Sequence, residues 1–285
     1  MRFGITMFAT DVSMAVVELA LAVQERGFDS LWLPEHTHIP VSRRTPPPTG
    51  APELPEEYRR SLDPLVALSA VAASTQRLRV GTGVLLAAQR DPVVTAKALA
   101  TLDHLSGGRL TVGVGYGWNE DEAQTHGVPF HQRRAVVRDH VLTMRRLWED
   151  DVAEYQGSHF RLEPSWSWPK PRQRPLPVLI GGSAGPKLFA HIAEWAQGWI
   201  PVGGTGMTEA LPRLRDQVAA AGRDPATLEV VPVGSVPTPG KLEHFASLGV
   251  TEVVLRVPSA PRDDALAVLD AHAEVMTAAR AALGG

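Results

Sequence analysis

The chain has 285 residues, 44% of them hydrophobic, enough to bury one large core. Its formal net charge of −3 excludes a global basic field that would recruit nucleic acid or an anionic membrane surface. It has no cysteine, which excludes disulfides, thiolate catalysis and cysteine-ligated metals.

The N-terminal MRFGITMF has no charged leader followed by an apolar core, and no run reaches the ~18 apolar residues of a membrane span, so a cytoplasmic protein is expected. Short apolar runs predict strands at 2–8, 30–34, 79–86, 110–115, 177–180, 198–202, 228–233 and 252–257. They are continuous rather than alternating, the pattern of strands buried on both faces. Between them lie predicted helices near 13–26, 63–75, 92–106, 131–149, 185–196, 208–221, 239–248 and 262–281. The first carries Val16, Leu19, Ala20 and Val23 on one face. Asp63-Pro64 and Asp91-Pro92 each pair an N-cap carboxylate with a first-turn proline. Gly27, Gly107 and Gly222 fall where left-handed C-terminal caps belong.

Eight strand–helix alternations predict one α/β domain over residues 1–285, a closed (β/α)8 barrel. An open doubly wound sheet would call for a GxGxxG after the first strand, and there is none. Two segments exceed what connections need. The Pro-rich loop 37–62 follows strand 2 and is expected to cover the barrel mouth as a lid. The stretch 150–176, between helix 4 and strand 5, holds a hairpin-like VAEYQGSHFRLEP turning at Gly157 and then the stiff WSWPKPRQRP.

In a barrel, chemistry lies at the C-terminal strand ends. Strand 2 ends in Glu35, His36, Thr37 and His38. Imidazoles titrate near neutrality and suit proton transfer or hydrogen bonding to an electron-rich ring; no further ligands stand at spacings that favour a metal. Strand 3 ends in Gly81-Thr82-Gly83, where glycine marks a bulge, a close approach by ligand, or tight packing. Strand 4 ends in Gly113-Val114-Gly115-Tyr116-Gly117-Trp118-Asn119. Alternate glycines there leave a slot for a planar heterocycle, and Asn119 offers a donor and an acceptor to its edge. After strand 5, Gly181-Gly182-Ser183-Ala184 leads into a helix start, a ready phosphate site. The Gly203-Gly204-Thr205-Gly206 turn is placed to join it. A ring slot and a phosphate site on one mouth point to a phosphorylated heterocyclic cofactor.

DSLWLPEHTHIP, the run VGTGVLL…DPVVTAKALATLDHLSGGRLTVGVGYGWNEDE and PVLIGGSAGP, in that order, resemble bacterial-luciferase-like flavin and deazaflavin oxidoreductases over roughly residues 1–205. The resemblance implies a luciferase-like TIM barrel, commonly a homodimer, binding coenzyme F420 or FMN at the mouth; LWLPEHTHIP is similar to actinobacterial F420-using members. It implies that Glu35 and His36 form the acidic–His pair after strand 2, and that Thr82-Gly83 is the non-prolyl cis peptide behind the ring. Val114, Gly115 and Asn119 would hold the ring edge, and Gly181, Gly182, Ser183 and Ala184 the phosphate. His36 or His38 would be the catalytic proton carrier. F420-dependent glucose-6-phosphate dehydrogenases carry a catalytic glutamate where this chain has Tyr116, so their sugar-phosphate substrate is not implied.

The expected activity is hydride transfer between F420 and a small organic substrate. One alternative is an FMN-dependent monooxygenase supplied by a separate flavin reductase; another is a non-catalytic flavin or deazaflavin carrier. Arg43, Arg44, Lys170, Arg172 and Arg174 are expected to be solvated surface charges, and they are also candidate rim partners for F420's anionic oligoglutamate tail.

Overall fold

The short apolar runs form strands because each is covered by helices outside and by its neighbours' side chains inside. The structure, a computed structural model, describes residues 1–47, 50 and 53–283. Residues 48, 49, 51 and 52 of the predicted lid lie outside the described residues.

The strands are β1 (Arg2–Thr6), β2 (Ser30–Leu33), β3 (Arg79–Thr82), β4 (Leu110–Val114), β5 (Ala153–Gln156), β6 (Arg161–Ser165), β7 (Val178–Gly181), β8 (Gly198–Ile200), β9 (Glu229–Val230), β10 (Val233–Ser235) and β11 (Glu252–Arg256). The helices are α1 (Val16–Glu25), α2 (Glu57–Arg60), α3 (Pro64–Ser74), α4 (Pro92–Leu105), α5 (Glu120–Thr125), α6 (Arg133–Glu149), α7 (Pro186–Glu194), α8 (Met207–Ala220), α9 (Pro239–Ser247) and α10 (Arg262–Leu283).

All strands except β5 and β6 belong to one parallel sheet in the order β10-β11-β1-β2-β3-β4-β7-β8-β9. Its two ends, β9 and β10, are consecutive pieces of one chain segment. Val231 N–H donates to Trp199 O (2.9 Å) and Val233 N–H to Pro201 O (3.0 Å), while Val254 N–H reaches Pro232 O (3.0 Å) on the other side. Pro232 lacks an N–H and interrupts the ladder without opening it. The sheet therefore closes as a (β/α)8 barrel.

The punctuation behaves as its chemistry requires. Asp63 accepts from the N–H groups of Leu65 and Val66, and Asp91 from those of Val93 and Val94. Gly27, Gly107 and Gly222 end their helices at φ 78°, 69° and 76°. The predicted strands overrun, however. Beyond residues 6, 82 and 200 the regular strands stop: Leu85 and Val202 keep single bridges to Val114 and Val233, while Met7, Phe8, Val84, Leu86 and Val202 line a cavity. Helix α5 was not predicted, since five polar residues and one alanine carry no apolar periodicity.

The predicted hairpin is present as antiparallel β5–β6, with Gly157 N–H donating to Phe160 O (2.9 Å). The following segment runs toward the N-terminal end of the barrel. Gln173 donates through its backbone to Asp103 (2.9 Å) and through its side chain to Leu110 O (2.7 Å). Lys170 is buried and donates to Leu147 O (2.9 Å). Lys170 is thus a buried anchor at the far end of the barrel, neither a solvated charge nor a rim partner, and Arg172 lies beside Gly107 and Gly108 at that same end.

Inside the barrel, Trp32 packs with Leu179, Ile200, Val231, Val233 and Val254. Its indole N–H reaches Ser30 Oγ (2.8 Å) and Glu252 Oε1 (2.9 Å), and Arg2 holds the other oxygen of Glu252 (2.9 Å). The ring fits because Gly81 has no side chain: a Cβ there would lie 2.5 Å from it. Gly81→Ala should therefore destabilise the fold by about 1–3 kcal/mol, the usual cost of overpacking, read as a lowered denaturant midpoint at unchanged m.

Candidate active site

Above Trp32, the C-terminal strand ends surround a cavity of about 760 Å³. Its lining includes Phe8, Glu35, His36, Tyr58, Gly83, Val84, Gly115, Tyr116, Trp118, Gly181, Gly182, Ser183, Ala184 and Val202. Of the predicted residues, His36, Glu35, Gly83, Gly115 and Gly181 to Ala184 are thus brought to one cavity. Thr82, Val114, Asn119 and His38 are not among its walls.

Each of those four has a physical reason. Thr82 stays in β3, its hydroxyl bonded to the backbone of Gly113 (2.8 Å). Val114 is fully buried in β4. Asn119 turns its Oδ1 to the N–H groups of Asp121 (3.2 Å) and Glu122 (3.4 Å), capping α5, and its Nδ2 is buried without a partner among the described residues. His38 bonds Thr37 Oγ1 (3.0 Å), which also contacts His126 Nε2 (2.8 Å). The non-prolyl cis bond is Gly83–Val84, one residue beyond the expected Thr82-Gly83, because the chain leaves the ladder only after Thr82.

Val84 then lies on the cavity floor between two strands. A Cβ on Gly115 would come within 2.4 Å of its side chain, and one on Gly181 within 3.0 Å. The alternate glycines thus admit Val84 and leave a flat apolar floor. Next to it, Gly182 has φ 154°, and α7 starts at Gly185 with no side-chain cap, leaving first-turn N–H groups without an internal acceptor.

His36 is held from both ring nitrogens. Nδ1 donates to the carboxylate of Glu122 (2.9 and 3.1 Å to its two oxygens), and Nε2 accepts the Trp118 indole N–H (3.3 Å). Glu122 is fully buried. The spacing Asn119-x-x-Glu122 is that of a capping box, in which the glutamate normally returns to the cap's own N–H. Here its side chain is diverted to His36, a long-range use that local spacing does not reveal. Glu35 faces another way. Its oxygens accept from Leu86 N–H (2.6 Å) and Arg90 Nε (2.6 Å), and Arg90 also holds Asp63 (2.6 Å).

Loop 37–62 reaches the mouth through Tyr58. Its ring lies 4.6 Å from Phe8, 5.3 Å from His36 and 6.2 Å from Trp118, centroid to centroid. Arg44 ties the loop to α5 through Asp121 (2.9 Å) and Gln124 (2.6 Å). Tyr116 donates to His191 Nδ1 (2.8 Å), with the Arg134 guanidinium 4.9 Å from its ring. Arg133 stacks on Phe130 and donates to Gly117 O (3.1 Å). Tyr58, Trp118, Glu122, Arg133 and Arg134 were not singled out from sequence.

The family model described as luciferase-like monooxygenase matches residues 1–238. The chain belongs to the luciferase-like family. This luciferase-like chain is 43% identical to an uncharacterized protein of Mycobacterium tuberculosis over 95% of its own length and 96% of that protein's. It is 30% identical to an F420-dependent glucose-6-phosphate dehydrogenase of Amycolatopsis mediterranei over 72% of its length, spanning 60% of that enzyme. A solved monooxygenase of Streptomyces bottropensis has the same fold, with a TM-score of 0.79 at 23% identity, 97% of this chain and 99% of that one being covered. The protein is accordingly a flavin- or F420-type oxidoreductase of this family.

Two outcomes follow from these contacts. Arg90→Ala strands a buried carboxylate at Glu35 and should destabilise the protein by about 3 kcal/mol in denaturant unfolding, whereas Arg90→Lys should recover part of that. Burial raises all three phenols above their ordinary 10.0, Tyr116 and Tyr155 to about 12, with the Asp139 hydrogen bond adding to the effect at Tyr155. A phenol with a raised folded pKa binds its proton more tightly in the native state, so its contribution is intact below pH 10 and lost as pH rises toward 12. Ultraviolet difference titration of the folded protein should show little phenolate at pH 10.0 and a loss of stability above it.

Proposed function

We propose that the protein is an F420-dependent oxidoreductase that moves a hydride between the deazaflavin and a small organic substrate. The observation that carries this reading is the buried His36–Glu122 pair opening on the same cavity as the Gly181–Ala184 loop. The residues present fit such a cofactor: a glycine-and-valine floor suits a flat ring, and the uncapped start of α7 suits a phosphate. Val84, Gly83 and Gly115 would lie against the ring, and Gly181, Gly182, Ser183 and Ala184 would hold the phosphate. Arg133 and Arg134, beside Tyr116, would be the positive partners for the anionic tail.

When bound in its reduced form, the cofactor supplies the hydride. The protein supplies the proton. Glu122 fixes the imidazole with Nδ1–H toward itself, which leaves Nε2 to give or take a proton at the substrate. His36→Ala should lower turnover ~10²–10⁴-fold while leaving cofactor binding intact, and His38→Ala should leave both unchanged. Equal turnover in the His36 variant would remove that role.

The deciding experiment is an anaerobic fluorescence titration with F420 and, separately, FMN. Tight binding of F420 and weak binding of FMN is expected. The 30% identity to an F420-dependent enzyme favours this order, and the reverse would make the protein an FMN-dependent monooxygenase needing a flavin reductase. A homodimer is part of the proposal, and light scattering on the purified protein reads it.

A further inference from the structure

The two halves of the cavity differ in charge, and the difference bears on what the protein acts upon. Around Tyr116 and Gly182 stand Arg133 and Arg134, neither of which meets a carboxylate within ion-pair distance among the described residues. Around His36 the walls are Met7, Phe8, Tyr58 and Trp118. The cation on that side, Arg256, is paired with Glu57 (2.5 Å), and the carboxylate, Glu35, is closed off by Arg90 and Leu86. The rim includes Val202, which is 80% exposed.

A phosphate or carboxylate placed beside His36 would leave water for a wall of aromatic rings with no free counter-charge, which is unfavourable. A neutral body would bury apolar surface there at no such cost. Two polar groups on this side can meet a single substrate oxygen. One is His36 Nε2, whose contact in the structure is the Trp118 indole N–H at 3.3 Å and which a substrate would take over. The other is the hydroxyl of Tyr58, a cavity wall. Burial holds its ionisation above the ordinary 10.0, so at neutral pH it is a proton-bearing donor.

Resting on the deazaflavin reading above, we propose that the substrate is a neutral, largely apolar carbonyl compound or the alcohol formed from it, and that Tyr58, delivered by loop 37–62, is the residue that recognises its oxygen. In the reducing direction the bound reduced cofactor would supply the hydride that forms the new C–H bond as the C=O π bond opens. The oxygen would take a proton from the doubly protonated imidazolium of His36 at Nε2, turned from Trp118 to the substrate, leaving the neutral Nδ1–H imidazole on Glu122, while Tyr58 donates a hydrogen bond to that oxygen. The reverse steps oxidise the alcohol. Tyr58 also forms the wall against which the apolar body rests, so its ring and its hydroxyl do separable work.

The test compares wild type, Tyr58→Phe and Tyr58→Ala with cyclohexenone, cyclohexanone and glucose 6-phosphate as probes. First, ligand-observed NMR measures cyclohexenone binding to the cofactor-free proteins. Tyr58→Phe should weaken it by about 5- to 10-fold, the loss of one hydrogen bond, and Tyr58→Ala should weaken it further. Glucose 6-phosphate should show no competition. Second, with F420 binding to each variant established by fluorescence, kcat/KM for the cyclic ketones should fall by about 10-fold in Tyr58→Phe, mainly through KM. Unchanged cyclohexenone binding in both variants, or displacement of cyclohexenone by glucose 6-phosphate, would overturn the inference. Failure of wild type to bind F420 would instead strike the cofactor reading, and the NMR arm would still decide the substrate class.

Discussion

The arrangement depends on one packing constraint: an indole ring must fit inside the barrel. Trp32 fills the lumen, and the missing Cβ of Gly81 is what admits it. Its N–H is satisfied by Glu252, whose own charge is answered by Arg2, so a polar group deep in the barrel carries no unpaired atom. The plug makes a solid base, and the cavity exists only above it. His36, Gly83, Val84, Gly115 and the Gly181–Ala184 loop stand at or just beyond the ends of strands whose spacing the indole helps to set, and Tyr58, Glu122 and Arg133 reach in from helices around them.

From this base the chain builds two kinds of wall by the same device, apolar residues just past the ends of the regular strands. Val84 turns onto the floor between Gly115 and Gly181. Met7, Phe8, Leu86 and Val202 rise around it. Polar groups enter sparingly, and most are already engaged: Glu35 by Arg90, Arg256 by Glu57, Tyr116 by His191. What can turn toward a ligand is a short inventory: the Tyr58 hydroxyl, the uncapped start of α7, and His36 Nε2 in exchange for its long contact with Trp118. Ligand sites of this type are largely apolar with a few placed polar groups.

The barrel was legible in the sequence because its signals are local. Buried strands read as apolar runs, and caps such as Asp63-Pro64 and Asp91-Pro92 announce helices within three residues. The glycine loops and His36 were legible for the same reason. What escaped depends on distance along the chain. Glu122 looks like half of a capping box and acts 86 residues away on His36. Tyr58 sits in a Pro-rich loop with no period to place it. Lys170 reads as a surface charge and is a buried anchor for the end of α6. The strand ends were overestimated because an apolar side chain lining a cavity looks, in sequence, like one lining a core.

Helix α5 has six residues, too few to hold its own shape in water, since the first turn of a helix is the costly one. Its order is borrowed, from the Asn119 cap and from Arg44 in loop 37–62, which grips Asp121 and Gln124. The same helix carries Glu122. The loop thus bears on the His36 imidazole through α5, and its Ser61 also donates directly to His36 O (3.1 Å). Linkage of this sort is reciprocal. Whatever loosens the grip of Arg44 on α5 is therefore felt at the carboxylate behind His36, and a ring held firmly by Glu122 steadies the loop in return.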